Sequence, residues 1–177
     1  LIKEIEKLNE DKNITGIIVQ LPLPSYLNKE RILNSISPLK DVDGLTNTNF
    51  LKLTKKEPSL IPCTPKGIIS LLDYYKIPLK EKRVVIIGRS ELVGLPLFHL
   101  LLNKDATVTL CHSKTKNLKQ YTKLADLLIV AVGKKDLITE DMVKNGVIII
   151  DVGINRIDGK LYGDVNSDCF KKARLMT

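Results

Sequence analysis

The 177-residue chain is 44% hydrophobic, an ordinary value for a globular protein with a buried core. No apolar run approaches the ~20 residues of a membrane helix, so we expect no membrane partner. The formal charge of +8 is compatible with nucleic-acid binding, but the lysines are scattered and aromatic residues make up only 5% of the chain. A basic surface that attracts phosphorylated or polycarboxylate small molecules is the better interpretation.

The first part of the chain is predicted to combine short helices with one strand. Residues 2–10 carry apolar side chains at helical spacing and predict an amphipathic helix. Residues 16–21 form a near-continuous apolar run, typical of a strand buried on both faces of a parallel sheet, and Pro22 ends it. A short helix is predicted over residues 28–36 and a loop over residues 38–48.

A further helix is predicted from its start signal. Thr64 suits the N-cap and Pro65 the first helical position, and the helix is expected to run to about Lys76. The charged stretch over residues 80–83 then marks a domain boundary. The sequence therefore predicts two domains, residues 1–78 and residues 79–177.

The second domain alternates strands with helices. Strands are predicted over residues 84–87, 106–111, 127–132 and 147–152. Helices are predicted over residues 93–102 and 117–124, and another is predicted to open at Thr139. This alternation predicts an α/β fold with a Rossmann-like, doubly wound parallel sheet, preceded by part of a second α/β domain.

The segment Gly88-Arg89-Ser90-Glu91-Leu92-Val93-Gly94 follows the first of these strands and predicts a nucleotide-binding turn. Gly88 permits the tight turn, and Gly94 lets the helix lie close to the sheet, so that backbone N–H groups face a phosphate. Ser90 stands where the usual Gly-x-Gly-x-x-Gly pattern has its second glycine. By itself, the motif is therefore also compatible with a simple packing turn.

The end of the second strand distinguishes NAD from NADP. NAD-binding folds usually place an Asp or Glu there, but in this chain His112, Ser113 and Lys114 follow the strand. Arg89 projects towards the same side. A guanidinium, a hydroxyl and an imidazole suit a 2′-phosphate, which a carboxylate would repel. The sequence therefore predicts NADP, with a solvated loop as the alternative interpretation of residues 112–114.

Several motifs together resemble the bifunctional methylenetetrahydrofolate dehydrogenase/cyclohydrolase (FolD) family. In the family's order, they are GIIVQLPLP (16–24), KDVDGL (40–45), PCTPKG (62–67), the glycine turn, HSKT (112–115), DVGIN (151–155) and GDV (163–165). The resemblance implies NADP-dependent oxidation of 5,10-methylenetetrahydrofolate to the methenyl form. It also implies hydrolysis of that form to 10-formyltetrahydrofolate, and a homodimer.

The resemblance assigns the folate-binding and catalytic positions. Gln20 matches a glutamine that hydrogen-bonds the family's catalytic lysine. Asp43 matches the carboxylate that holds the pterin ring, where it can accept two parallel hydrogen bonds. The backbones of Val19 and Leu21 match further folate contacts. Without the resemblance, Gln20 would equally be a polar strand end, and Asp43 would be a turn residue before Gly44.

The resemblance also assigns the cofactor positions. The family's nucleotide-binding positions are matched by Gly88, Arg89, Ser90, Ser113 and Ile154. We add His112 because of the 2′-phosphate argument. We expect Gly153 to permit close backbone approach near the nicotinamide.

The sequence departs from the family in one important respect. No lysine matches the catalytic lysine, which lies in a Tyr-x-x-x-Lys helix upstream of the residue that matches Leu1, and the family continues beyond Thr177 into a folate loop and a last helix. We therefore expect these 177 residues alone to bind NADP and to lack both activities. A non-catalytic NADP-binding fragment or scaffold is one alternative. Another is a shikimate-type dehydrogenase, which the Gln20 and Asp43 segments do not suit.

The cysteines indicate a reducing compartment. Cys63, Cys111 and Cys169 are odd in number, far apart and without a Cys-x-x-Cys pattern, so neither a metal site nor a disulfide framework is expected. We expect Cys63 to be a buried structural residue. A cytoplasmic location follows as an expectation, and because the first residue is not Met, an organellar one stays open.

Overall fold

Four helices and no regular strand make up residues 1–74 in the computed structural model, which describes all of residues 1–177. They are α1 (Ile2–Glu10), α2 (Lys29–Leu33), α3 (Asn47–Thr54) and α4 (Cys63–Tyr74). The structure confirms the predicted helices over residues 2–10 and 28–36. Helix α3 was not predicted, and it begins inside the predicted loop because the Thr46 hydroxyl accepts a hydrogen bond from the Asn49 N–H at 3.3 Å.

The predicted buried strand over residues 16–21 is wrong. The structure has a single parallel bridge there, between Ile17 and Asp41, and Ile18 is 62% exposed. A strand of a parallel sheet needs a hydrogen-bonded neighbour strand along its length, and both of its faces must be covered. The Ile17 N–H reaches the Lys40 carbonyl at 2.7 Å, but no second strand of the chain lies alongside.

Helix α4 begins at Cys63, so the prediction of Thr64 as its N-cap is wrong, and no side chain caps this end. The buried face of the helix is formed by Pro65, Ile68 and Leu72. Because Cys63 does not lie on that face, it is exposed, and the expectation of a buried structural cysteine is also wrong.

A five-stranded parallel sheet is the centre of the second half of the chain. In chain order the elements are β1 (Arg83–Ile87), α5 (Gly94–Leu102), β2 (Thr107–Cys111), α6 (Leu118–Thr122), β3 (Leu127–Val130), β4 (Ile148–Asp151), β5 (Asn155–Ile157), β6 (Lys160–Tyr162) and β7 (Leu175–Met176). The strand order in the sheet is β2-β1-β3-β4-β7, and β5 and β6 form a separate hairpin. The predicted fold class and the four predicted strands are confirmed. The helix predicted at Thr139 is only a 3-10 turn, Glu140–Met142, and the β5–β6 hairpin was not predicted.

Both faces of the sheet are buried, which explains the continuous apolar runs of its strands. Along β1, Val84 and Ile86 pack into one cluster, while Val85 and Ile87 pack into the other. Leu72 of α4 belongs to the first cluster, although it precedes the predicted domain boundary. The division into residues 1–78 and 79–177 stays a prediction. None of the helices has the length and apolarity needed to cross a membrane.

Candidate functional site

A cavity of about 710 Å³ opens at the carboxyl end of β1. One wall comes from the region of α2 and α3, including Leu21 and Gly44. The other comes from the turn between β1 and α5, including Arg89 and Ser90. Open α/β sheets bind ligands in the crevice outside the carboxyl ends of their strands. The cavity therefore joins residues predicted for folate with residues predicted for the nucleotide.

The turn after β1 has a tight shape that requires glycine at two positions. Gly88 has a φ of +117°, and a Cβ there would collide with the Ala131 carbonyl of the neighbouring strand end. A Cβ on Gly94 would collide with the Gly88 carbonyl. Gly94 is the first residue of α5, so the two glycines together bring the helix start against the strand end.

The same turn presents unpartnered backbone donors. The Ser90 hydroxyl accepts from the Val93 N–H at 3.1 Å, which fixes the end of the turn. The backbone N–H groups of residues 89–92 donate no hydrogen bond within the chain, and these residues are exposed. Donors of this kind in front of a helix start are suited to binding phosphate oxygens.

The turn after β2 lies beside the glycine turn. Ile87 pairs with Cys111, and the Gly88 N–H donates to the Cys111 carbonyl at 2.9 Å, so Arg89 and His112 follow adjacent strand ends. The His112 Nδ1 accepts from the Lys114 N–H at 3.2 Å. The neutral imidazole therefore carries its proton on Nε2, where it can donate.

The thiol of Cys111 stays in the core beneath this edge. Burial raises the pKa of the Cys111 thiol, and the side-chain hydrogen bond with Thr115 only partly offsets that effect. The thiol is therefore protonated at neutral pH. At this edge of the sheet Cys111 therefore supplies no negative charge.

The predicted folate residues are only partly brought together. Leu21 lines the 710 Å³ cavity, whereas Val19 and Gln20 line a separate cavity of about 260 Å³ beside α1. Gln20 is exposed, and its amide donates to the Leu21 carbonyl at 3.0 Å. Asp43 is half-buried and does not itself line the larger cavity, although the next residue, Gly44, does.

Asp41 fixes the loop that carries Asp43, a role the sequence analysis missed. The Asp41 carboxylate is buried and accepts from the backbone N–H groups of Leu45 at 3.0 Å and Thr46 at 2.8 Å. The Asn49 amide donates to it at 2.9 Å. The loop is thus closed around Asp41, which leaves the neighbouring Asp43 available for a ligand.

The segment after β4 carries the two remaining predicted cofactor residues. Ile154 is 79% exposed and open to a ligand. The close approach at Gly153 is intramolecular, because a Cβ there would collide with the Asp164 carboxylate. Packing against Asp164 is therefore enough to explain why residue 153 is glycine. The contact of Gly153 with a nicotinamide stays a prediction.

Comparison with known families agrees with this geometry. Residues 62–177 match the family model described as tetrahydrofolate dehydrogenase/cyclohydrolase, NAD(P)-binding domain, and residues 1–43 match its catalytic domain. The chain belongs to the tetrahydrofolate dehydrogenase/cyclohydrolase family. The resemblance inferred from the sequence motifs is confirmed.

Individual members of the family are similar over the whole chain. The bifunctional protein FolD of Thermodesulfovibrio yellowstonii is 53% identical and is aligned with 100% of this chain and 63% of its own length. The FolD crystal structure from Campylobacter jejuni is 49% identical, with a TM-score of 0.97 over 99% of this chain and 64% of that one. The chain thus spans somewhat less than two thirds of its relatives' length.

A third relative has been solved with ligands. The methylenetetrahydrofolate dehydrogenase-cyclohydrolase of Trypanosoma brucei, complexed with NADP cofactor and an inhibitor, is 34% identical. Its TM-score is 0.89 over 99% of this chain and 63% of that one.

The structure also shows a pair of charged residues at the cavity that the sequence did not suggest. Lys29 of α2 and Glu91 of the glycine turn form an ion pair at 2.6 Å, and both line the cavity. They are 62 residues apart, so no local pattern could have joined them. Both side chains are well exposed, so the pair connects the two walls of the cavity with little energetic weight of its own.

Proposed function

We propose that this chain binds NADP at the carboxyl edge of its sheet and belongs to an enzyme that oxidises 5,10-methylenetetrahydrofolate to the methenyl form. The same enzyme then hydrolyses the methenyl form to 10-formyltetrahydrofolate. The observation that carries the proposal is that the glycine turn, which lines the cavity, and the turn after β2 follow paired strand ends. The glycine turn supplies free N–H donors, and the end of β2 supplies His112 and Ser113 in place of a carboxylate.

The choice of NADP rests on charge. Arg89 is exposed beside the cavity, and the turn after β2 offers the Ser113 hydroxyl and the His112 Nε2–H. A guanidinium can form two hydrogen bonds with a phosphate, and no Asp or Glu in residues 111–117 repels one. NADP supplies the hydride acceptor when it is bound, and the residues of this chain hold and orient it.

On the folate side, Asp43 is the proposed anchor. Its carboxylate would accept two parallel hydrogen bonds from the pterin amino and ring N–H groups, while the backbones of Val19 and Leu21 supply further contacts. Gln20 would act through a catalytic lysine that no motif of this chain supplies. The hydride leaves the methylene carbon, water adds to the methenyl cation, a proton is released and the ring opens. The alternative is a non-catalytic NADP-binding scaffold.

Calorimetric titration of the chain with NADP and with NAD tests the cofactor assignment. In the Arg89→Ala variant we expect NADP to bind about 10- to 150-fold more weakly, which corresponds to ~1.5–3 kcal/mol for a charged hydrogen bond. NAD binding should hardly change. Arg174→Ala is the matched control, because Arg174 is exposed and lies just before β7, at the opposite edge of the sheet. Equal losses for both cofactors in Arg89→Ala would contradict the 2′-phosphate assignment.

Measurements of substrate binding test the folate assignment. Asp43→Ala should weaken binding of tetrahydrofolate substrates with little effect on NADP, and Asp168→Ala, at an exposed carboxylate, is the control. Unchanged folate affinity would count against the pterin role. Formation of the methenyl chromophore from the substrate would distinguish the proposed enzyme from the alternative, a non-catalytic NADP-binding scaffold. The proposed homodimer and cytoplasmic location are checked by sedimentation and by fractionation of cells.

A further inference from the structure

Two carboxylates lie beneath the ends of β3 and β4, and the sequence motifs that contain them, DVGIN and GDV, assigned them no role. Asp151 is the last residue of β4 and is half-buried, and Asp164 follows the β5–β6 hairpin and is fully buried. We call them the carboxylate pair. Neither forms an ion pair with Lys or Arg, so their charges are balanced by hydrogen-bond donors alone.

Asp164 is held by three consecutive backbone N–H groups of the loop after β3. Those of Val132 and Gly133 donate to its Oδ2 at 2.7 and 3.0 Å, and that of Lys134 donates to its Oδ1 at 2.6 Å. Gly133 has a φ of +64°, which lets the three N–H groups converge. Successive N–H groups arranged in this way form an anion-binding concavity, and here the anion is a side chain of the same chain.

The carboxylate pair also fixes the segment after β4. Asp151 Oδ1 accepts from the N–H groups of Gly153 at 2.9 Å and Asp164 at 3.0 Å, and Oδ2 accepts from that of Val165 at 2.9 Å. The Asn155 amide donates to Asp164 Oδ1 at 2.9 Å. The ends of β3 and β4 are therefore connected through one buried polar network.

Two glycines leave the space that this network occupies. A Cβ on Gly153 would collide with the Asp164 carboxylate, and a Cβ on Gly163 would collide with that of Asp151. Both oxygens of Asp164 are used as acceptors, so an amide could not replace the carboxylate without leaving a buried donor facing other donors. The requirement for Asp at this position follows from its contacts.

The location of the network indicates what it supports. In a doubly wound sheet a dinucleotide lies across the point where the strand order reverses, and here β1 lies between β2 and β3. The end of β2 and the glycine turn suit the adenosine 2′-phosphate and the pyrophosphate. The remaining nicotinamide half then extends over the ends of β3 and β4. The exposed residues Val132 and Ile154 lie there.

We propose that Asp164, held in turn by Asp151, is the positioning residue for the nicotinamide half of NADP. It fixes the loops over residues 132–134 and 153–155, which form the surface on which that half rests. This inference depends on the proposed NADP-binding function. It assigns to buried carboxylates the task of aligning the reacting end of the cofactor.

The test compares two ligands of the same chain. Adenosine 2′,5′-bisphosphate corresponds only to the adenosine end of NADP. Its affinity therefore depends on the glycine turn and the end of β2, and not on the nicotinamide surface. In Asp164→Asn we expect NADP affinity to fall at least tenfold while the bisphosphate binds as in the wild type. Gly153→Ala should reproduce this pattern because its Cβ displaces the Asp164 carboxylate. Asp168→Asn, at an exposed ion-paired carboxylate, is the control.

Amide hydrogen exchange provides a readout that needs no ligand. The N–H groups of residues 132–134 should exchange faster in Asp164→Asn and in Gly153→Ala than in the wild type. Unchanged NADP affinity, or an equal loss of both ligands in both variants, would overturn the positioning role. If the wild-type chain bound neither ligand, the proposed function would fail and the positioning role with it. Faster exchange would then report only the contact between Asp164 and its loop.

Discussion

The sheet region, residues 83–177, and the N-terminal region, residues 1–61, use similar apolar sequences with different results. The sheet region contributes to two clusters of 12 buried residues, one on each face, whereas the N-terminal region forms one cluster of five. β1 pairs with β2 and with β3 over most of its length, but the apolar run at residues 16–21 makes a single bridge. An apolar run becomes a strand only where the fold places a hydrogen-bonding partner strand alongside it.

The contrast extends to the site. The proposed cofactor side of the cavity is built at the end of β1, whose position is fixed by the sheet register. The proposed folate side is built on loops, and a buried carboxylate, Asp41, gives its central loop a defined shape. The stability of the sheet region should therefore depend mainly on apolar packing, and that of the N-terminal region more on polar contacts.

The largest effect is expected from Leu72→Ala. Leu72 is fully buried between α4 and the sheet, so its removal should lower the free energy of unfolding towards the upper end of ~2–5 kcal/mol, the range for buried leucines. Leu33→Ala in the smaller cluster should cost less, because fewer neighbours are left without contacts. Urea unfolding of both variants of the chain measures the difference. A larger loss for Leu33→Ala would break the comparison between the two regions.

A smaller effect is expected from Asp41→Asn. The substitution removes a buried charge that accepts three hydrogen bonds, so we expect a loss of ~1.5–3 kcal/mol in the free energy of unfolding. Asp43→Asn, two residues away on the half-buried position proposed to bind folate, should leave stability nearly unchanged. Equal destabilisation by the two variants would show that the loop does not depend on Asp41 in particular.

Sequence patterns predicted the features that depend on neighbours in the chain. The β1 strand and the glycine turn could be predicted from consecutive residues, because a continuous apolar run sets the strand and Gly88 and Gly94 set the turn. The role of Asp164 could not be read this way, since its partners at residues 132–134 are about 30 residues distant. The same holds for the pair Lys29 and Glu91, which meet only when the two regions pack.

The amino ends of the sheet strands should contribute a small, pH-dependent stabilisation through Asp126. The side-chain hydrogen bond from Lys144 lowers the pKa of Asp126, the Arg83 N–H adds to that effect, and burial opposes it. A carboxyl with a lowered folded pKa stabilises the protein above the unfolded value of ~3.9, and that stabilisation is lost as pH falls through the folded value. Because both side chains of the ion pair are more than a third exposed, Asp126→Asn should cost at most ~1 kcal/mol at neutral pH.

Unfolding curves at neutral and acidic pH measure this effect. The difference between Asp126→Asn and the wild type should shrink as the pH falls below the ordinary carboxyl range. Lys144→Gln should reproduce most of the neutral-pH loss, because it removes the charged hydrogen-bond donor that lowers the pKa of Asp126 most. A difference that grew on acidification would contradict the lowered pKa.

The smallest effect is expected at Ile18, where the sequence and the structure disagree most directly. If Ile18 lay in a strand buried on both faces, its substitution by alanine would lower the free energy of unfolding by ~2–5 kcal/mol. Because Ile18 is mostly exposed in the fold, Ile18→Ala should change the free energy of unfolding of this chain by no more than ~0.5 kcal/mol. Its neighbour Ile17 is buried, so Ile17→Ala serves as the internal control and should show the full core penalty. Similar losses at both positions would mean that the run over residues 16–21 is covered on both faces in solution, and the contrast between the two regions would disappear.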